Sequence, residues 1–204
     1  MIRRLVNLLA AATLLAVLAG CAGSPPTTAG DRQCLAGLTA AGVAFEPVSE
    51  PVAANGCGIV NAVRVRREDA ALDRPAEMSC GLAAAFARFE REAIQPAALR
   101  HLGKRVTVLR HFGTYSCRRE STGRDRLSQH AHGNAIDLAG FQLADGTVVS
   151  VKADWQTPGP RRDFLREVTR SACNYFSVVL SPNHDATHHD HVHLDIGPYR
   201  LCGA

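Results

Sequence analysis

The sequence predicts an α+β fold, an antiparallel sheet with helices packed on one side. Two observations predict it. The long helix-period patterns come early, and the later half carries short β-branched runs arranged as hairpins. "DRQCLAGLTAAG" (31–42) reads as a short helix started by Asp31 and stopped by Gly42. "GCGIVNAVRV" (56–65) suggests a strand. In "AEMSCGLAAAFARFEREAIQPAALRHLG" (76–103) Leu82, Phe86, Phe89 and Ile94 recur near helical spacing, so one face is core, and Pro96 should kink or divide the helix. "RVTVLRHFGTYS" (105–116) is a central-strand candidate. "AIDLAGFQLADGTVVSV" (135–151) reads as two strands around an Asp145-Gly146 turn. An amphipathic helix over 161–176 follows, and "SVVL" (177–180) and "HVHLDI" (191–196) are the last strands.

The N-terminus is expected to stand apart from this fold. Arg3 and Arg4 precede an apolar run to Leu18, the pattern of a secretory leader, too short for a spanning helix of about 20 apolar residues. "LAGC" (18–21) resembles the lipobox of bacterial lipoproteins, which implies cleavage before Cys21 and a lipid, such as palmitate, on that residue. Ala22, rather than Asp, implies the periplasmic face of the outer membrane. The expected layout is a signal peptide (1–20), a flexible tether (21–31) rich in Pro, Thr and Gly, and one domain (32–204). Two arginines leave with the leader, so the formal charge falls from +4 to +2. With no long basic run left, nucleic acid is a poor partner.

Beyond Cys21 stand Cys34, Cys57, Cys80, Cys117, Cys173 and Cys202. An even number in an exported chain reads as three disulfides, and no C-x-x-C pair supports a zinc-thiolate site. Sequence proximity suggests the pairs 34–57, 80–117 and 173–202.

The chemistry concentrates in two stretches. "SQHAHGNAID" (128–137) holds His130 and, seven positions on, Asp137, with Gly133 available for a tight turn between them. A His before a turn and an Asp on the strand after it can converge on one ion, although the two alone would equally make a structural hydrogen-bonded pair. A catalytic zinc takes three protein ligands and an open water position, so a third must come from elsewhere. "HHDHVHLDI" (188–196) offers it. On a strand Val192, Leu194 and Ile196 point one way while His191, His193 and Asp195 point the other. Two imidazoles on one face suit one ligand and one proton-handling neighbour. His132, His184 and His189 read as solvated loop residues, His188 and Asp195 as candidates for orienting a ligand, and Ser128 as a partner of the turn. No Ser–His–Asp triad is indicated.

H-x-x-G-x-A-x-D followed by a late H-x-H is similar to the zinc peptidases grouped with lysostaphin, the D-alanyl-D-alanine metallopeptidases and the hedgehog fold. Over residues 32–202 the chain, with "CLAGLTAAGVAFEP", "YSCR", "LSQHAHGNAIDLAGF" and "HHDHVHLDI", resembles the bacterial extensin-like C-terminal-domain proteins. The resemblance implies zinc on His130, Asp137 and His193, with His191 in the general-base or transition-state-stabilising place, the former being favoured; the fold is expected to set the zinc in a groove across the sheet. Arg118 sits where the D-alanyl peptidases have an arginine that polarises the scissile carbonyl, though a Cys interrupts the match. Those enzymes place a Glu three residues before the last ligand. Asp190 occupies that spacing here and is the alternative base, whereas the penicillin-insensitive murein endopeptidases resemble the "DH-x-H" ending and lack that Glu.

The expected function is zinc-dependent peptidase or amidase action on cell-envelope peptides, above all peptidoglycan stem peptides or cross-links. The alternative is a non-catalytic, zinc-stabilised, peptidoglycan-binding lipoprotein. A third reading is a disulfide-bonded structural lipoprotein without metal.

Overall fold

A computed structural model describes residues 29–49, 55–120 and 125–204. The expected signal peptide, Cys21 and residues 22–28 of the expected tether lie outside the described residues, while residues 29–31, expected as the end of that tether, already belong to a helix. The helices are α1 (Ala29–Ala40), α2 (Cys80–Phe89), α3 (Gln95–Leu102), α4 (Val151–Asp154) and α5 (Pro160–Ala172). The strands are β1 (Ala44–Pro47), β2 (Ala62–Arg67), β3 (Ala71–Ser79), β4 (Val106–Gly113), β5 (Ala135–Leu143), β6 (Val148–Ser150), β7 (Val178–Leu180), β8 (Val192–Asp195) and β9 (Leu201–Gly203). Among the described residues, no helix is long and apolar enough to cross a membrane.

The strands form one open sheet in the order β1-β2-β3-β4-β5-β8-β7-β9, with β6 added on β5. The fold is α+β, as expected, but the sheet is mixed rather than wholly antiparallel. β3 runs parallel to β4, and β7 parallel to β9. The first parallel pair needs a crossover, which α2 and α3 supply. β5 is the hub: it pairs with β4 along one edge, and with β8 and then β6 along the other.

Alternation along these strands separates a core face from a polar one. Ile136 and Leu138 on β5, with Val192 and Leu194 on β8, are at most 4% exposed and belong to the core. Leu138, Phe141, Val192 and Leu194 meet Phe89, Leu165, Val168 and Ala172 around a void of only about 10 Å³, so α2 and α5 cover that face closely. Asp137, His193 and Asp195 lie on the opposite face.

Several boundaries differ from expectation for local reasons. Residues 76–79 are strand, not helix: Ala76 and Met78 are buried in the β2–β3 pair, and the helix starts only where the Ser79 side chain accepts the Leu82 N–H. Pro96 follows a π-helical turn (Glu90–Ile94) in which the Gln95 N–H reaches back to the Glu90 carbonyl. That wide turn takes up the proline's missing donor, and the helix runs on. The strand expected over 56–65 lies at 62–67 instead, and β1, β3 and β9 had not been anticipated.

Three disulfides are present, but two of the expected pairs are wrong. The bonds are Cys34–Cys80, Cys57–Cys117 and Cys173–Cys202. Topology, not sequence distance, chooses the partners. α1 packs on α2, which brings Cys34 to Cys80. Residues 55–58 run beside the segment leaving β4, where the Asn55 amide also reaches the Cys117 sulfur.

Candidate metal centre

A short 3₁₀ turn (Gln129–His132) delivers His130. Ser128 caps it, its hydroxyl accepting the His130 N–H, and Gly133 closes it in the left-handed conformation at φ 60°. A Cβ at Gly133 would also lie 2.8 Å from Ile59, so glycine is required twice over. The chain then enters β5, where Asp137 stands directly opposite His193 of β8. Turn and register together bring one histidine from a loop onto a pair fixed by the sheet.

The three side chains converge tightly. His130 Nε2 lies 3.2 Å from Asp137 Oδ1 and 3.2 Å from His193 Nδ1, and His193 Nδ1 lies 3.0 Å from Asp137 Oδ1. Donor atoms bound to a tetrahedral zinc at about 2.0–2.1 Å stand about 3.3 Å apart, close to this triangle. The outer nitrogens are committed elsewhere. His130 Nδ1–H donates to the Thr114 carbonyl, and His193 Nε2–H donates to Asp195, whose other oxygen accepts the Gly197 N–H. With those protons held outward, the two facing nitrogens need either a cation or a second ring proton between them and the Asp137 carboxylate. Such a donor set fits a cation at its centre, and the outer partners are those that orient ligand imidazoles. Among the described residues this is the one cluster of three or more His, Cys, Asp or Glu side chains with that convergence.

Electrostatics agree. Burial works to raise the Asp137 pKa, but hydrogen bonds from His130 and His193 override it and hold the carboxyl far below its ordinary range. Burial disfavours charge on His193, yet Asp137 and Asp195 on either side hold its pKa up to about 9. The site favours positive charge at its centre, carried by an imidazolium or by a metal ion.

Two further histidines flank the cluster. His191 donates Nδ1–H to Asp190 Oδ1 at 2.9 Å and turns Nε2 toward Asp137 Oδ1, 3.6 Å away. Burial alone would raise the Asp190 pKa; the bond from His191 outweighs it and keeps the carboxyl low. The two residues named as alternative bases are thus one dyad, in which the carboxylate orients the ring. His188 is buried, bonds through Nδ1 to Asp185 Oδ1 at 2.7 Å, and packs its ring 5.1 Å from that of His191. Burial lowers its pKa, which favours a neutral ring.

Arg118 is not brought into the cluster. It is exposed, on the segment after β4, and lines a cavity of about 430 Å³ that also includes His193, Asp195 and His188. His132 is half-buried, while His184 and His189 are exposed. Sequence reading missed Thr114, whose contribution is a main-chain carbonyl and carries no side-chain signal. It also missed Asp185, which the i, i+3 spacing to His188 would have offered, and Phe112, whose exposed ring meets His191 edge-on at 5.7 Å.

The family model of the extensin-like protein C-terminus matches residues 32–203. No curated protein and no solved structure matches the chain.

Proposed function

We propose that this chain, which belongs to the extensin-like C-terminal family, is a zinc-dependent peptidase or amidase of the cell envelope, acting on peptidoglycan stem peptides or cross-links. The observation that carries the reading is the convergence of His130 Nε2, Asp137 Oδ1 and His193 Nδ1 with their outer nitrogens already bonded. The likeness of H-x-x-G-x-A-x-D and H-x-H to the lysostaphin and D-alanyl-D-alanine metallopeptidases supports it. "LAGC" supports a lipid anchor at Cys21 that would hold the domain at the periplasmic face of the outer membrane, beside the wall. Neither leftover charge nor any basic run favours nucleic acid.

Zinc bound by these three residues would polarise a carbonyl and lower the pKa of a bound water to about 7. The protein's own part begins at His191. With Nδ1–H held by Asp190, its Nε2 carries the lone pair toward the centre, where it takes a proton from the attacking water and returns one to the leaving amine. Asp195 and Thr114 keep the ligand rings in the right tautomer.

The burial of the cluster favours a second reading, a zinc-stabilised wall-binding module without catalysis. His130 is only 2% exposed and His193 9%. Metal analysis of the purified protein beside its His193→Ala variant tests the centre: one zinc per chain, lost in the variant, is expected, and no zinc even after its addition overturns both readings. Incubation with purified sacculi separates them, since release of new muropeptides requires the peptidase and binding without fragments requires the module.

A further inference from the structure

The cavity beside the cluster has a chemistry of its own. Val178, Leu180 and Leu201 give it an apolar floor, and it meets the centre at His193 and Asp195 without including His130, Asp137 or His191. It therefore lies next to the converging ligand atoms rather than over them. Arg118 and Arg200 line it from two separate segments, and neither side chain has a hydrogen-bond or ion-pair partner among the described residues.

The acidic groups on its walls are engaged elsewhere. Glu120 gives both oxygens to Arg126, at 2.7 and 2.9 Å. Asp195 bonds His193 and the Gly197 N–H, and Asp185 bonds His188 and the Thr187 N–H. The Arg126 guanidinium is further fixed 4.0 Å above the Tyr199 ring. What remains unsatisfied is two guanidinium groups over an apolar floor, an arrangement that suits a carboxylate carried by small apolar groups.

We propose that this cavity is a substrate subsite that binds the carboxylate of a short peptide arm through Arg118 and Arg200. This rests on the peptidase reading for the identity of the substrate, but not for the binding itself. It gives Arg118 a substrate-holding part in place of carbonyl polarisation. A cavity of about 430 Å³ has room for a dipeptide-sized arm beside the centre, so the bond presented to the zinc ligands would be one reached from a carboxylate-bearing branch.

The test is a two-dimensional NMR titration of the purified protein, stripped with chelator, using N-acetyl-D-alanyl-D-alanine and its C-terminal amide as probes. The acid should bind at least about tenfold more tightly than the amide, shifting the amide signals of residues 118–120 and 199–201. Arg118→Gln and Arg200→Gln should each weaken the acid about tenfold and leave the amide unchanged, while Arg119→Gln, whose partner is the exposed Asp125, should do nothing. Equal binding of acid and amide, or indifference to both substitutions, overturns the proposal. Because metal is absent from the assay, carboxylate binding in a protein that cleaves no sacculi would retain the subsite and discard only the peptidase.

Discussion

Asp137 and His193 are direct cross-strand partners, with Asp137 Oδ1 3.0 Å from His193 Nδ1. The register between β5 and β8 therefore makes half of the candidate centre. A slip of one residue would set Asp137 against Val192 or Leu194 and turn the histidines into the core. The burial of Ile136, Leu138, Val192 and Leu194 under the helices forbids that slip. Hydrophobic packing on one face thus fixes polar geometry on the other.

Asp195 extends this geometry outward by holding His193 Nε2–H. Asp195→Asn retains the shape but weakens a charge-assisted bond. Zinc affinity, measured in competition with a chromogenic chelator, is expected to fall about 10–100-fold. An unchanged affinity would remove Asp195 from any orienting role.

The turn between His130 and Asp137 depends on Gly133. An alanine there would adopt a left-handed φ and press a Cβ onto Ile59 at 2.8 Å. Gly133→Ala should lower stability by at least about 2 kcal/mol in urea unfolding, part from backbone strain and part from the clash. Adding Ile59→Val, which trims that neighbour, should restore some of the steric part. A loss below about 0.5 kcal/mol would mean that the turn relaxes freely.

What the sequence made legible was local. Gly133 between His130 and Asp137, and the alternation of Val192, His193, Leu194 and Asp195, are short-range patterns, and both read through to structure. Ala76–Ser79 misled because Ala, Glu and Met favour helices, while the pairing with β2 that overrides them is invisible in one strand alone. Thr114 acts through its carbonyl, and β9 is three residues paired in parallel with β7, so neither leaves a pattern. The cysteine pairs failed for the same reason: which segments become neighbours is decided by the whole topology.

Those pairs give a direct check. Non-reducing digestion with mass mapping should recover Cys34–Cys80, Cys57–Cys117 and Cys173–Cys202, and no Cys34–Cys57 peptide. Replacing Cys57 and Cys117 together with alanine opens a link spanning 60 residues and should lower stability by about 2–4 kcal/mol.

On the peptidase reading, His191 separates binding from chemistry. His191→Gln leaves His130, Asp137 and His193 in place, so zinc content should stay near one per chain while muropeptide release falls about 100-fold or more. Asp190→Asn, acting only through the ring it orients, should give a smaller loss. Full activity in His191→Gln would require another base.

Glu68, at the β2–β3 turn, is 6% exposed, and neither carboxylate oxygen has a hydrogen-bond partner. Burial first, and the nearby Glu90 carboxyl second, push its pKa well above the ordinary value of 4.5, with Arg91 opposing weakly. A folded pKa raised above the unfolded one means that the protonated form is favoured in the native state. Its stabilising contribution is then full below about pH 4.5 and is lost as pH rises through the folded value. Glu68→Gln, which is neutral at every pH, should match the parent near pH 4 and exceed its melting temperature by at least about 2 °C at pH 7. Thermal unfolding of both proteins across that range decides it. A gap that is constant with pH would point to packing at residue 68 rather than to a buried charge.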